Sequence, residues 1–480
     1  MNSRISFFVV GLFLIMLGLL MLVPAMYTLL SGSPATGDFF QSATWTVLAG
    51  MVLVITARPA AFRLDPRQVF VLTTLNWVVL SLFGALPFVL ISHLSFTDAF
   101  FETMSGITTT GSTVVTSLDQ MDKGILLWRS LLQWLGGVGF IVLGVAVLPF
   151  LRVGGMRLFQ SESSDWSDKC LPRSGSIAKR IVLIYILLTL LCMVGYLLGG
   201  MPLFEAVNHA MTTLSTGGYS TSDASMGHFS SPFILWNGTL FMLLGGLPFV
   251  LFVKCLKGLP GELFKDTQVR AFIGFMVAVW LLLSTWLTAH SDVSFFRNLT
   301  LVAFNTTSVV TTTGFAATDY TAWSGLSTTV FFLLMAIGGC SGSTAGGVKI
   351  FRFQIGFRLL YIHLTQMSHP RAFLVHRYNG QEITNDILRS LIAFCFFYGL
   401  LIAMMTIILS AQGLDLLTSL SGTITAVSNV GPGIGPEIGP SGNFLALPDS
   451  SKWILSFGML MGRLEIITVL VLFTPSFWRN

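Results

Sequence analysis

The stretch "SGITTTGST", Ser105–Thr113, is small, rich in hydroxyls and hinged on one glycine, Gly111, yet long apolar runs flank it on both sides. Three similar stretches follow: "TLSTGGYST" at Thr213–Thr221, "VTTTGFAAT" at Val310–Thr318 and "VSNVGPGIG" at Val427–Gly435. With Gly111, Gly217, Gly314 and Gly431 as markers, they recur about every hundred residues, the mark of a repeated unit. Each unit reads as a span, a short semi-apolar segment, a turn of small polar residues, and a second span.

The apolar background is a membrane background. The chain has 480 residues, 53% hydrophobic and only 10% charged, with a mean hydropathy of +0.79. A soluble protein carries roughly a quarter charged residues. About 20 apolar residues cross the hydrocarbon layer as a helix, which predicts ten spans: 5–30, 43–57, 68–92, 125–150, 178–199, 233–253, 270–289, 326–362 (interrupted), 386–410 and 453–476. The first is too long for the core of a signal peptide and is expected to stay in place. Five cysteines, Cys170, Cys192, Cys255, Cys340 and Cys395, lie far apart, which disfavours a disulfide framework or a zinc site.

Lysine and arginine gather in cytoplasmic loops. One set of loops holds Arg58, Arg63 and Arg67, then Arg152, Arg157, Lys169, Arg173, Lys179 and Arg180, then Lys254, Lys257, Lys265 and Arg270, and finally Arg352, Arg358, Arg371, Arg377 and Arg389. The opposite set holds only Lys123, Arg129, Arg297 and Lys452. Both termini are therefore expected inside. The small net charge of +5 calls for this topological reading before any nucleic-acid one. The long inner loops 151–180 and 363–389 suit either a regulatory partner or ordinary topogenic charge with lipid contact.

The four glycine-bearing turns all fall in the cation-poor loops. The segments before them, "FTDAFFETMSGIT", "PLFEAVNHAMTTL", "FFRNLTLVAFNTTSVV" and "DLLTSLSGTITAV", are long enough for three helical turns but too short to cross. They are expected to enter the bilayer and return. Irregular backbone at membrane depth survives only when buried in protein or lining a wet cavity. Four such turns from one side would enclose a pore lined by threonine hydroxyls and main-chain carbonyls. Such oxygens suit a dehydrated monovalent cation, glycine permits the torsions, and no acid lies among Thr108–Thr113, Ser215–Ser220, Thr311–Phe315 or Ser428–Gly433. The expected ligand residues are Thr109, Thr110, Gly111 and Ser112; Ser215, Thr216, Gly217 and Gly218; Thr312, Thr313, Gly314 and Phe315; and Asn429, Val430, Gly431 and Pro432. Hydroxyl ligation is least expected in the fourth turn.

Two features beneath these turns read as gates. "GGCSGSTAGGVKI", Gly338–Ile350, is rich in glycine and its flanking runs are each too short to cross, so an interrupted helix with a loop under the turns is expected. Its glycines Gly338, Gly339, Gly342, Gly346 and Gly347 would give that loop freedom. Lys349 closes it and either takes part or snorkels to the surface. Arg463 lies within the last span, where arginine is costly enough to imply function; pairing with Glu465 is poor, since residues two apart face different ways. Asp98, Glu102, Glu205, Asp223, Asp319 and Glu437 are expected on the outer side, as cation-enriching or simply solvated and capping groups. His209 reads as a packed, hydrogen-bonded residue.

The turns "TTTGST", "STGGYS", "TTTGFA" and "SNVGPG", in this order within span–pore helix–span units, resemble the Trk/Ktr/HKT potassium transporter superfamily, most of all the membrane subunits of bacterial Trk uptake systems. The resemblance covers essentially the whole chain. It implies an all-α membrane protein with four tandem repeats in pseudo-fourfold symmetry: two extra N-terminal helices over 1–66, repeats over 67–160, 161–262, 263–380 (with the intramembrane gating loop 338–350) and 381–480. It also implies potassium as the bound substrate, a homodimer, a cytoplasmic nucleotide-binding RCK-type (TrkA-like) regulatory subunit, and residence in the bacterial inner membrane. Glycine at all four turns is the potassium-associated pattern in such relatives. A secondary carrier coupling potassium or sodium entry to protons or sodium is the alternative. An enzyme is disfavoured, since the spans hold no nucleophile–base pair or metal motif. No cofactor is expected, and no GxxxxGK[ST] or soluble segment large enough for a nucleotide fold occurs.

Overall fold

Four short helices, Phe96–Ile107, Leu203–Leu214, Phe295–Val310 and Leu416–Ser428, form where the semi-apolar segments lie. The first starts on Ser95, whose hydroxyl accepts the Asp98 N–H at 3.1 Å; the fourth starts on Asp415, whose carboxylate accepts those of Leu417 and Thr418. At 1.5 Å per residue they span about 18–24 Å, short of the roughly 30 Å of a bilayer interior. The computed structural model describes residues 3–59, 65–146, 171–369, 377–379, 381–383 and 385–479. Arg63, Arg152, Arg157, Lys169, Cys170, Arg371 and much of the inner loops 151–180 and 363–389 lie outside the described residues.

Among the described residues, seven helices are long and apolar enough to cross a membrane, or up to nine counting two bent pairs. Two of the expected spans, the sixth and the tenth, are bent, a feature not anticipated from the sequence. Pro232–Gly245 and Phe249–Leu256 meet at 93°, and Asp449–Arg463 and Ile466–Phe473 at 112°. Gly246, Leu247 and Pro248 separate the first pair, and proline has no N–H to continue a helix. At the second break Glu465 sits at φ +63°. The second span is longer than expected, at Thr36–Thr56. The eighth is interrupted as expected: Gly325–Leu334 and Ile350–Ser368 flank a non-helical stretch.

The N-terminal helices, Ser3–Ser31 and Thr36–Thr56, cross closely because small residues meet: a Cβ on Gly50 would fall 2.7 Å from the Gly11 carbonyl oxygen. Large apolar side chains face outward along the long helices, including Leu30, Leu198, Ile407 and Phe357. The same economy of volume seats each short helix. A Cβ on Gly136 would run into the Ile107 carbonyl, one on Gly462 into that of Val427, and one on Gly245 would lie 2.9 Å from that of Leu214. The helix after each turn thus presses a glycine against the C-terminal end of the preceding short helix in the first, second and fourth units.

Gly136→Ala should lower stability by about 1–3 kcal/mol, the usual cost of overpacking, while Gly139→Ala, whose Cβ meets nothing within 4 Å, should not. Melting of the detergent-purified variants, followed by size-exclusion, checks this; equal melting of the two contradicts the seat.

Candidate functional site

Each short helix ends in the same turn. The N–H groups of Thr109, Thr216, Thr312 and Asn429 bond back to Gly106, Thr213, Val309 and Ala426 at 3.0, 3.1, 3.0 and 3.3 Å. Those of Thr110, Gly217, Thr313 and Val430 reach Ser105, Thr212, Ser308 and Thr425 at 2.8, 2.9, 2.7 and 2.9 Å. This paired closure is the Schellman motif, whose left-handed residue is usually glycine. Here that residue is Thr109, Thr216, Thr312 or Asn429, at φ +53°, +51°, +57° and +57°. A β-branched residue there costs on the order of 1–3 kcal/mol, so threonine is retained against local preference. Two residues on, φ is positive again at Gly111, Gly218, Gly314 and Gly431. Among the described residues the carbonyls of Thr109, Thr110, Thr312 and Thr313 accept no hydrogen bond.

These torsions set the register. The counterpart of Gly111 is Gly218, and Gly217 stands where the other turns have Thr110, Thr313 and Val430. The sequence marker in the second turn was therefore one residue early, because "GG" offers two glycines and only torsion distinguishes them.

The turns close a ring. A Cβ on Gly111 would strike the Gly217 carbonyl oxygen, one on Gly218 that of Thr313, and one on Gly314 that of Val430. One on Gly431 would lie 2.8 Å from that of Thr110, returning to the first turn. Ser112 Oγ donates to the Gly431 carbonyl at 2.8 Å, and Asn429 Nδ2 to Thr110 Oγ1 at 2.9 Å, sealing the fourth turn to the first. A cavity of about 310 Å³ opens on the ring and takes Gly111, Gly218, Gly314 and Pro432 into its lining. Of the expected ligands, Phe315 does not share the environment of Ser112: it is buried against His209 and Phe304, with ring centroids 5.9 and 6.4 Å away.

Nine residues before each ring glycine the short helix tethers the returning chain. Glu102 Oε2 accepts the Val114 N–H at 3.0 Å; His209 Nε2 meets Ser220 Oγ at 3.0 Å; Asn305 Oδ1 accepts the Ala317 N–H at 3.0 Å. The fourth unit has Gly422 there, and neighbouring Ser421 bonds both the N–H and the carbonyl of Ile434. Glu102 is thus no outer, cation-gathering group. It is fully buried and paired with Arg129 at 2.8 Å, and Arg129 also reaches the Ser220 carbonyl and Thr113 Oγ1. Asp98 pairs with Lys452 at 2.5 Å, and Asp223 accepts the Leu118 N–H. Glu437 and Asp223 are exposed, Glu205 and Asp319 partly so. His209 is packed and hydrogen-bonded as expected, its Nδ1 on the Glu205 carbonyl at 2.8 Å.

Beneath the ring lies the interrupted helix. The Gly346 N–H donates to Thr312 Oγ1 at 2.6 Å, and a Cβ on Gly346 would strike the Ser428 carbonyl. Thr344 Oγ1 donates to the Gly245 carbonyl at 2.9 Å, Cys340 N–H to that of Gly246 at 2.9 Å, and Phe249 N–H to that of Gly342 at 3.0 Å. Gly338 closes on Val348 and packs against Gly346 and Gly347; Gly339 packs on Gly246. The five glycines therefore hold a loop wedged between the second and fourth units. Lys349 does not snorkel: it is buried, donates to the Ala345 carbonyl and lies 5.8 Å from the Phe140 ring centre.

Arg463 is buried in the same space. It donates to the Thr344 carbonyl at 2.8 Å and to that of Gly136 at 3.3 Å, over the Phe140 ring at 4.2 Å. Its chain position matches the second glycine of "GG" at Gly137, Gly246 and Gly339. Glu465 pairs with Arg352 at 2.5 Å instead of Arg463. The Glu102–Arg129 and Arg352–Glu465 pairs, and Gln133 behind the second turn, were not singled out as partners in the sequence. A polar residue in a largely apolar helix was the one signal for Gln133, and tertiary pairing leaves none.

Residues 36–480 match the family model described as TrkH, cation transport protein. The chain is 49% identical over 468 residues to the Trk system potassium uptake protein TrkI of Halomonas elongata, covering 97% of this chain and 95% of that one. It is 35% identical to the Trk system potassium uptake protein TrkH of Escherichia coli K12, with both chains covered completely. The crystal structure of the potassium transporter TrkH from Vibrio parahaemolyticus superposes with a TM-score of 0.92 at 35% identity, again over 100% of both chains.

Removing one partner of a buried ion pair strands the other charge, at about 3–5 kcal/mol. Glu102→Ala should accordingly yield little folded protein, whereas Asp223→Ala, at an exposed site, should purify normally; comparable monodisperse yields would argue against the tether.

Proposed function

Because the chain belongs to the TrkH cation transport protein family, we propose that it is the potassium-conducting membrane subunit of a Trk-type uptake system. The observation that carries this reading is the closed ring of four Schellman turns, in which the carbonyls of Thr109, Thr110, Thr312 and Thr313 accept no hydrogen bond among the described residues. Neutral carbonyl and threonine oxygens offer partial charge in place of water, which suits a monovalent cation over a divalent one. The ligands are drawn from Thr109–Ser112, Ser215–Gly218, Thr312–Phe315 and Asn429–Pro432, with Phe315 entering through its backbone. The fourth turn offers amide and carbonyl oxygen in place of hydroxyl.

The ion's exit lies through the space held by the 338–350 loop and Arg463. At a separation of about 6 Å and an effective dielectric near 20, a guanidinium opposes a cation by about 3 kcal/mol. The loop adds a steric plug, tied to the ring itself through Gly346 N–H and Thr312. Opening requires that this bond and those of Thr344 be exchanged for others. The asymmetric distribution of lysine and arginine supports an orientation with both termini and the loop's lower end in the cytoplasm, in the inner membrane. The Trk system name carried by the relatives supports partner subunits; an RCK-type nucleotide-binding ring on the cytoplasmic face and a second copy of this chain fit that reading.

Rubidium and sodium uptake into proteoliposomes of the purified chain tests the proposal. Wild type should pass potassium and rubidium well ahead of sodium. Arg463→Ala should raise rubidium uptake about tenfold or more, as loss of a barrier of this size allows. Shortening Gly338–Gly347 should raise it too. An imposed proton gradient that drives potassium uphill would replace the conducting pore by a coupled carrier. Unchanged flux in well-folded Arg463→Ala protein would remove the barrier role.

A further inference from the structure

The second turn is the odd one of the four. Directly before their ring glycines the other turns carry side chains: Thr110, whose hydroxyl meets that of Thr108 at 2.8 Å; Thr313, whose hydroxyl meets that of Thr311 at 2.8 Å; and Val430, fully buried. The second turn has Gly217 there, followed at once by Gly218. Two consecutive glycines make the loosest backbone of the four. Nothing in its own turn fills the space that a side chain would occupy.

Gln133 fills it. This residue belongs to the Lys123–Ala146 helix, is fully buried, and its carboxamide sits where a Cβ on Gly217 would fall. The amide makes two bonds that bracket the ring glycine: Nε2 donates to the Gly217 carbonyl at 2.5 Å, and Oε1 accepts the Tyr219 N–H at 3.0 Å. Three residues before the equivalent glycines Gly136, Gly245, Gly338 and Gly462, the chain has Gln133, Met242, Met335 and Met459. The polar member belongs to the first unit and reaches across to the turn of the second, the one turn that lacks a side chain; its counterparts in the other three units are all methionine.

We propose that Gln133 is a positioning residue for cation discrimination, standing in for the missing side chain of Gly217 and fixing the second turn at the width of the other three. The inference rests on the reading of the ring as the cation pathway. Its physical basis is the bidentate amide. One arm holds the Gly217 carbonyl, the oxygen that abuts Gly111 of the first turn; the other prevents the strand from rotating about Gly218. Without the amide, two buried backbone groups lose their partners. The turn is then free to collapse inward around a smaller, more strongly hydrated ion. Discrimination among alkali cations should fall while transport itself persists.

The test uses the full chain in proteoliposomes, with rubidium and sodium uptake measured side by side. Gln133→Met should lower the rubidium-to-sodium ratio about tenfold, the scale set by one buried hydrogen bond. Gly217→Thr alone should suppress uptake of both ions, since its side chain lands on the amide. Gly217→Thr combined with Gln133→Met rebuilds the pattern of the other units and should recover most of the ratio; the backbone of Gly217 lies outside the left-handed region and accepts a side chain. Should Gln133→Met fold poorly, Gln133→Glu keeps the acceptor for Tyr219 but not the donor for Gly217, and should show the same loss of ratio. A selective wild type matched by a well-folded Gln133→Met or Gln133→Glu variant overturns this inference alone. A wild type that passes both ions alike overturns the pathway reading and this inference with it. A double variant no better than Gly217→Thr overturns the exchange of one side chain for the other.

Discussion

Four backbone turns approach one another so closely that no Cβ fits between them, and the rest of the molecule is arranged to make that approach possible. At Gly111, Gly218, Gly314 and Gly431 a methyl group would meet a neighbouring carbonyl. The approach needs left-handed torsions, and it also needs each turn held at a fixed height. The Schellman closures set the height from below, and the tethers nine residues upstream set it from behind. The glycines that seat the short helices, Gly136, Gly245 and Gly462, let the following helix come near enough to support both.

Strain accompanies this order. Three threonines occupy torsions that glycine would take at less cost, and a carboxylate and a guanidinium are buried together at Glu102 and Arg129. Neither choice maximises stability, since a buried pair is often no better than well-packed apolar residues. Both choices fix geometry. Arg129 touches the returning limbs of two neighbouring turns, so it determines their spacing as well as their position.

Much of this was legible in the sequence, for identifiable reasons. The four turns announce themselves because hydroxyl-rich, glycine-broken segments are rare between apolar runs, and the short helices coincide with the segments read for them to within a residue or two. The interruption after Leu334 was visible for the same reason. Hydropathy could not show the bends at Gly246–Pro248 and Leu464–Glu465, because an apolar window has the same mean whether straight or folded. Nor could it separate Gly217 from Gly218, or reveal that Glu102 turns inward to Arg129. Those facts depend on which side chains meet across the units, and a single chain read in order does not contain that information.

Arg463 stands where each of the other three units has glycine. In an assembly of four identical subunits such a replacement would appear four times, crowding four guanidiniums into one narrow passage. Covalent linkage of the quadrants removes that penalty. One cation, one amide at Gln133 and one broken helix can each be installed in a single quadrant and adjusted alone, so the passage can be tuned in steps of one charge or one bond while its symmetric framework is left untouched.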